Sequence, residues 1–273
     1  MEIASSMSAV GIILTSIIIL SLVEALIPLR RRSDWSKRHL APNLVMTFLT
    51  FATNLIFNIP FLFGLVWLQS RGWGLFNAVT LPTAITLLGT VIILDFAWYL
   101  THVSMHKIPS FWRVHAVHHS DPIVDVTTTV RQHPLEGVIR YLFLAAFAFS
   151  FGVPPAGFAI YRIWSVLYGQ FEHANIRLPQ WLDTAITFIA ASPNMHKIHH
   201  SANQRYTDTN YSSILNWDRL FGTFVPSKFG TDVRYGLDGY YTEKQQSVAG
   251  MLVLPFHKNL SNNLMGEHNE DEQ

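Results

Sequence analysis

The chain has 273 residues, of which 49% are hydrophobic and only 14% charged, with a mean hydropathy of +0.23. Soluble domains carry nearer a quarter charged residues, so this is the composition of a membrane protein, and a net charge of +1 provides no basic field to hold nucleic acid. The lack of any cysteine removes disulfides, thiolate-ligated haem, iron–sulfur clusters and cysteine zinc sites together.

Four apolar stretches follow in chain order, judged against the roughly 20 residues that span a bilayer core. The first, Val10 to Leu29, is interrupted only by Glu24 and ends in a basic cluster instead of a small-residue cleavage site, so it reads as a retained membrane helix. The second, Leu44 to Leu68, carries Pro60, a predicted kink. The third, Leu81 to Leu100, carries Asp95 near its end. The fourth is double: Val138 to Phe151 and Ala156 to Phe171 flank Gly152-Val153-Pro154-Pro155, a turn signal that predicts a helical hairpin. Residues 178 to 200 read as helical with a break at Pro193, residues 201 to 242 as turn-rich, and the acidic tail Gly266 to Gln273 as disordered.

Basic residues beside helix ends set orientation. Arg30, Arg31, Arg32, Lys37 and Arg38 follow the first helix and place that loop in the cytoplasm. Threading the remaining spans then delivers every histidine cluster to the same, cytoplasmic side. The expected fold is an all-α integral membrane protein of three to four transmembrane helices plus a helical hairpin, under a cytoplasmic histidine-rich helical cap.

Thirteen histidines are grouped, not scattered. His102 and His106 close the third helix; His115, His118 and His119 form one H-x-x-H-H group, and His196, His199 and His200 a second. On a helix, positions i, i+3 and i+4 share a face, and neutral imidazole is a ligand for iron, zinc and copper. Eight imidazoles exceed what one ion takes, so two ions are the economical reading. His173, just after the hairpin, is a further expected ligand, and His133 a possible metal or near-site residue whose plain alternative is a capping role before Pro134. His39, His257 and His268 lie away from the clusters and are read as ordinary surface residues. Asp95, two helical turns before His102, and Asp218 are the acids expected to orient bound imidazoles from behind.

These motifs resemble the fatty acid hydroxylase and sterol desaturase superfamily, whose H-x(3–4)-H, H-x(2–3)-H-H and later H-x(2–3)-H-H correspond to His102/His106, His115/His118/His119 and His196/His199/His200. The segments Arg131-Gln132-His133-Pro134-Leu135-Glu136, Phe171-Glu172-His173-Ala174-Asn175 and Trp217-Asp218-Arg219-Leu220-Phe221-Gly222-Thr223 also look like family segments. The resemblance divides the chain into N-terminal transmembrane helices (1–80), a fatty acid hydroxylase-type catalytic domain (81–242) and a C-terminal tail (243–273). It implies a membrane-bound non-haem di-iron oxygenase that hydroxylates or desaturates a C–H position of a lipid or sterol-like substrate, with O2 as co-substrate and two iron ions held by the eight clustered histidines and by His173. Zinc is expected to substitute for iron in purified protein, and no catalytic residue beyond the ligands is assigned. Zinc alone polarises bonds and activates water, so C–H cleavage requires a redox metal. With no cysteine, no G-x-G-x-x-G and no fused His-Pro-Gly-Gly haem domain, electrons are expected from a separate reductase, ferredoxin or cytochrome, and the lipid from the bilayer between the third helix and the hairpin. Two competing readings are a membrane metal-binding protein or transporter, disfavoured because the clusters follow helix ends instead of lying at mid-membrane, and a zinc hydrolase, disfavoured by the lack of H-E-x-x-H.

Overall fold

In the computed structural model, residues 2–30, 37–227 and 233–257 are described. The acidic tail and His268 lie outside them. The described residues contain helices and no β-strand, only two isolated bridges, Pro28 with Ile176 and Ser201 with Tyr235. The helices that build the site are α1 (Glu2–Leu26), α2 (Lys37–Ser70), α3 (Leu75–Ala78), α4 (Thr83–Lys107), α5 (Pro109–His119), α6 (Pro134–Phe151), α7 (Pro155–His173), α8 (Gln180–Thr187) and α9 (Pro193–His199). Three stretches are long and apolar enough to cross a membrane: His39–Ala78, Thr83–Lys107 and Pro134–Phe151; Gly11–Leu26 is a shorter apolar helix.

The polarity of these helices is inverted relative to a soluble protein. Phe48, Phe63, Leu142 and Ile18 are exposed, whereas Asn43, Thr47, Thr50 and Asn54 are buried along one face of α2 at the i, i+4, i+7, i+11 spacing of a helical stripe. Lipid accepts the first set, and the second must find partners within the bundle. Asn43 donates to Thr127 Oγ1 at 3.0 Å, and Thr50 to the Val130 carbonyl at 3.4 Å. An apolar core of Phe61, Leu65, Leu94, Leu144, Phe158 and Tyr161 joins α2, α4, α6 and α7.

The expected break between two helices is present, but α6 packs mainly on α2 and α4, α7 packs on α4, and of the two only α6 is long and apolar enough to cross a membrane. Gly152 ends α6 at φ 66°, a left-handed conformation suited to glycine. A Cβ there would lie 2.4 Å from the Trp73 carbonyl oxygen, so the turn also admits the α2–α3 loop only because it lacks a side chain. Helix α2 continues through Pro42 and Pro60 and is longer than the apolar run alone suggests. Residues 243–257, counted with the C-terminal tail from sequence, contain helices that reach back to the bundle: Met251 and Leu254 are buried with Met46, Trp112 and Val117.

His39 corrects the sequence reading. It is not a surface residue but only 7% exposed, with Nδ1 3.3 Å from Asp121 and Nε2 3.2 Å from Asp125. His257 is exposed, as expected.

Candidate metal centre

Helix α4 carries His102 and His106 in its last two turns, and Ile108, extended at φ −98°, lets Pro109 begin α5 at once. The chain therefore folds back, and α5 brings His115, His118 and His119 beside α4. His173 ends α7, and Ser192 caps α9 by accepting from Met195 N at 3.0 Å. All nine imidazoles are buried.

They divide into two groups. His102, His106, His115, His119 and His199 form one, and His118, His173, His196 and His200 the other; within each, the ligand atoms lie within 4.8 Å of one another. The division cuts through both H-x-x-H-H motifs. At 100° per residue, positions i and i+4 lie about 40° apart on the helix, and i+3 diverges about 60° to the other side. His115 and His119 thus face one group and His118 the other, whereas His196 and His200 face the second group and His199 the first. The repeated motif is used twice with its roles exchanged.

The hydrogen bonds fix which nitrogen points inward. His102 Nδ1 donates to the Tyr211 carbonyl at 2.7 Å, His199 Nδ1 to the Thr209 carbonyl at 2.8 Å, and His173 Nδ1 to the Gly169 carbonyl at 2.6 Å. A carbonyl only accepts, so each Nδ1 holds the proton and each Nε2 presents a lone pair. His115 Nδ1 lies 3.2 Å from Glu136 Oε2. The Nε2 atoms of His102, His115 and His199, and both nitrogens of His106 and His119, are buried without a hydrogen-bond partner. In the second group, Nε2 of His173 is 3.0 Å from that of His118, 3.0 Å from that of His196 and 3.2 Å from that of His200. Nitrogens bound at about 2.1 Å to one ion, at right angles, lie about 3.0 Å apart. One lone pair facing three nitrogens at that distance suits a shared cation far better than a hydrogen bond. Burial, and then the neighbouring positive groups, pull His115 and His118 down to about 3. His119, His196, His199 and His200 are lowered in the same way. All therefore stay neutral, the state a metal ligand requires. The residues present fit two nitrogen-bound metal ions.

The acids are arranged differently from the expectation. Asp95 Oδ2 accepts from Leu215 N and Trp217 Nε1, each at 2.9 Å, and Asp218 accepts from Tyr211 N at 2.9 Å and Ser212 N at 2.8 Å. Neither meets an imidazole. Asp218 acts one step back, by pinning the peptide whose carbonyl holds His102. The carboxylates that approach the clustered imidazoles are Glu136 on His115, Asp208, 3.5 Å from His106 Nδ1, and Glu172, 4.0 Å from His173 Nδ1. The available signal for Glu136 was an acid in the first turn of an apolar helix, where burial leaves a charge in need of a partner. His133 stands outside both groups: its Nδ1 accepts from Leu135 N at 3.1 Å, and its Nε2 lies 3.3 Å from the Leu252 carbonyl. That is the capping alternative.

A cavity of ≈ 80 Å³ opens beside the imidazoles between α2, α4, α6 and α7. His102 and His115 of the first group, and His118, His173 and His196 of the second, all line it.

Residues 87–223 match the fatty acid hydroxylase family. The chain belongs to this family. Among curated relatives, the alkylglycerol monooxygenase of Xenopus tropicalis is 33% identical over 153 residues, 54% of this chain and 32% of that protein. The Homo sapiens alkylglycerol monooxygenase is 29% identical over 146 residues, 52% of this chain and 31% of its own length. The ornithine lipid hydroxylase OlsE of Rhizobium tropici is 26% identical over 189 residues, 68% of this chain and 55% of that protein. The chain thus matches about a third of the length of the alkylglycerol monooxygenases and about half of the ornithine lipid hydroxylase. No solved structure matches it significantly.

Proposed function

We propose that this protein is a membrane-embedded di-iron monooxygenase that hydroxylates a C–H position of a lipid. The observation that carries the reading is a cavity bordered by imidazoles of both groups, where one substrate carbon can face two ions at once. Lipid-oxidising relatives, a nitrogen-only ligand set and apolar helices support it.

His102, His106, His115, His119 and His199 would hold one iron, and His118, His173, His196 and His200 the other. When bound, the two irons supply the redox chemistry that joins O2 to an unactivated C–H bond, which zinc cannot do. The overall balance is R–H + O2 + 2 electrons + 2 protons giving R–OH + H2O. The electrons come from a separate donor, a reductase, ferredoxin or cytochrome. The chain's own residues position and shield. Glu136 and the Tyr211, Thr209 and Gly169 carbonyls lock ring orientation and tautomer. Trp98, Leu144, Tyr161 and Val166 give the cavity an apolar wall that limits water at the reacting carbon. The histidine side faces the cytoplasm, in keeping with Arg30, Lys37 and Arg38 beside the helix ends.

The test is lipid mass spectrometry of cells expressing the intact chain or His199→Ala. The reading predicts a lipid one oxygen heavier, present with the intact chain and lost in the variant. Identical lipid profiles would count against it.

A further inference from the structure

One of the two guanidiniums lining the cavity has no carboxylate partner among the described residues. Two acids line it, Glu136 and Glu172, with two guanidiniums, Arg140 and Arg162. Glu136 Oε1 accepts from Arg140 Nη2 at 3.1 Å, and Glu172 is hydrogen-bonded by Ser213, with buried Lys197 nearby. Arg162 makes no ion pair among the described residues. Its Nε is buried without a hydrogen-bond partner, and its guanidinium sits 5.7 Å from the Tyr141 ring centroid. An unpaired guanidinium among apolar helices is costly, and such residues mark ligand paths. The nine imidazoles are neutral donors, so they leave the charge of any ions they hold uncancelled and add to the positive potential.

The geometry points to an oxyanion subsite: we infer that Arg162 binds the anionic headgroup of the lipid, a phosphate or a carboxylate, inside the cavity that the imidazoles border. This rests on the lipid-oxidising reading above and gives it a substrate class. Guanidinium suits the task because its planar donors match both oxyanions. Ser165, one turn further along α7, and Gln132 lie on the same wall, where their side chains donate to the Arg162 and Thr129 carbonyls at 3.0 and 3.2 Å. Arg162 and His173 are 11 residues apart on one helix, about 16 Å of rise at most. The carbon oxidised therefore lies in the head-proximal part of the chain, not at its distal methyl.

The test is binding, read without turnover. Purified full-length protein in neutral detergent, both metal-stripped and iron-loaded, is titrated calorimetrically with hexadecyl phosphate, palmitate and hexadecanol. At least one anionic probe is expected to bind about tenfold or more tighter than hexadecanol, as a charge-assisted hydrogen bond implies. Preference for the phosphate identifies a phospholipid-type headgroup, and preference for palmitate a fatty acid. Arg162→Gln should abolish the preference, and Arg162→Lys should keep part of it. Equal binding of all three probes by the intact protein overturns the inference, as does a preference that survives Arg162→Gln. If the glutamine variant fails to fold, the intact protein's ranking and the lysine variant still decide. Because the ranking is read on metal-stripped protein, it stands or falls separately from any failure to oxidise lipid.

Discussion

Glu136→Gln tests how the protein holds its first metal group. Glu136 is fully buried and serves two partners, His115 Nδ1 at 3.2 Å and Arg140 Nη2 at 3.1 Å. Glutamine keeps the shape, but if its one acceptor oxygen receives the imidazole proton, its NH2 faces the guanidinium, donor against donor. His115 thus loses its orienting carboxylate or Arg140 loses its ion pair. Loss of such an outer partner weakens metal affinity about 10–100-fold, or about 1.4–2.7 kcal/mol. Iron-reconstituted protein dialysed against graded chelator, with metal per chain measured by mass spectrometry, should show one ion leaving the variant at lower chelator than in the intact chain. The second ion should be retained as before, because His118, His173, His196 and His200 do not contact Glu136. Two ions leaving together at the intact chain's chelator concentration would refute the assignment of Glu136 to one group.

Other consequences follow from the packing. Gly152→Ala places a Cβ 2.4 Å from the Trp73 carbonyl oxygen in a left-handed backbone, and a loss of about 1–3 kcal/mol should appear as a lower melting temperature with metal content unchanged. His39→Ala removes the group between Asp121 and Asp125; a loss of about 3 kcal/mol is expected in thermal unfolding, whereas a surface histidine would cost almost nothing. The native chain has no cysteine, so single cysteines report sidedness cleanly: Arg71→Cys should react with an impermeant maleimide in intact cells and Lys244→Cys should not. The reverse pattern would invert the proposed orientation.

The helical spans and the break between α6 and α7 were readable because lipid-facing surface demands long apolar runs and Gly152-Val153-Pro154-Pro155 cannot continue a helix. The histidine motifs were readable because i, i+3 and i+4 share a face. Their sorting into two groups was not, since a helical wheel shows that His118 diverges from His119 but not what waits on either side. The same limit explains His39. Its burial depends on Asp121 and Asp125, more than 80 positions away in the chain, and nothing local announces that pairing. Asp95 and Asp218 illustrate the converse. Each sits near the clusters in sequence, yet the loop around Tyr211 presents bare N–H groups that attract these carboxylates first. Glu136 was the more telling signal, because an acid in an apolar helix has to be answered by a buried partner.

Nine imidazoles from separate parts of the chain are placed to grip two ions beside one cavity. An iron-edge anomalous difference map of crystals of the iron-reconstituted protein measures this directly. Two peaks are expected, one surrounded by His102, His106, His115, His119 and His199, the other by His118, His173, His196 and His200. A single peak, or imidazoles turned away from any metal, would contradict this arrangement.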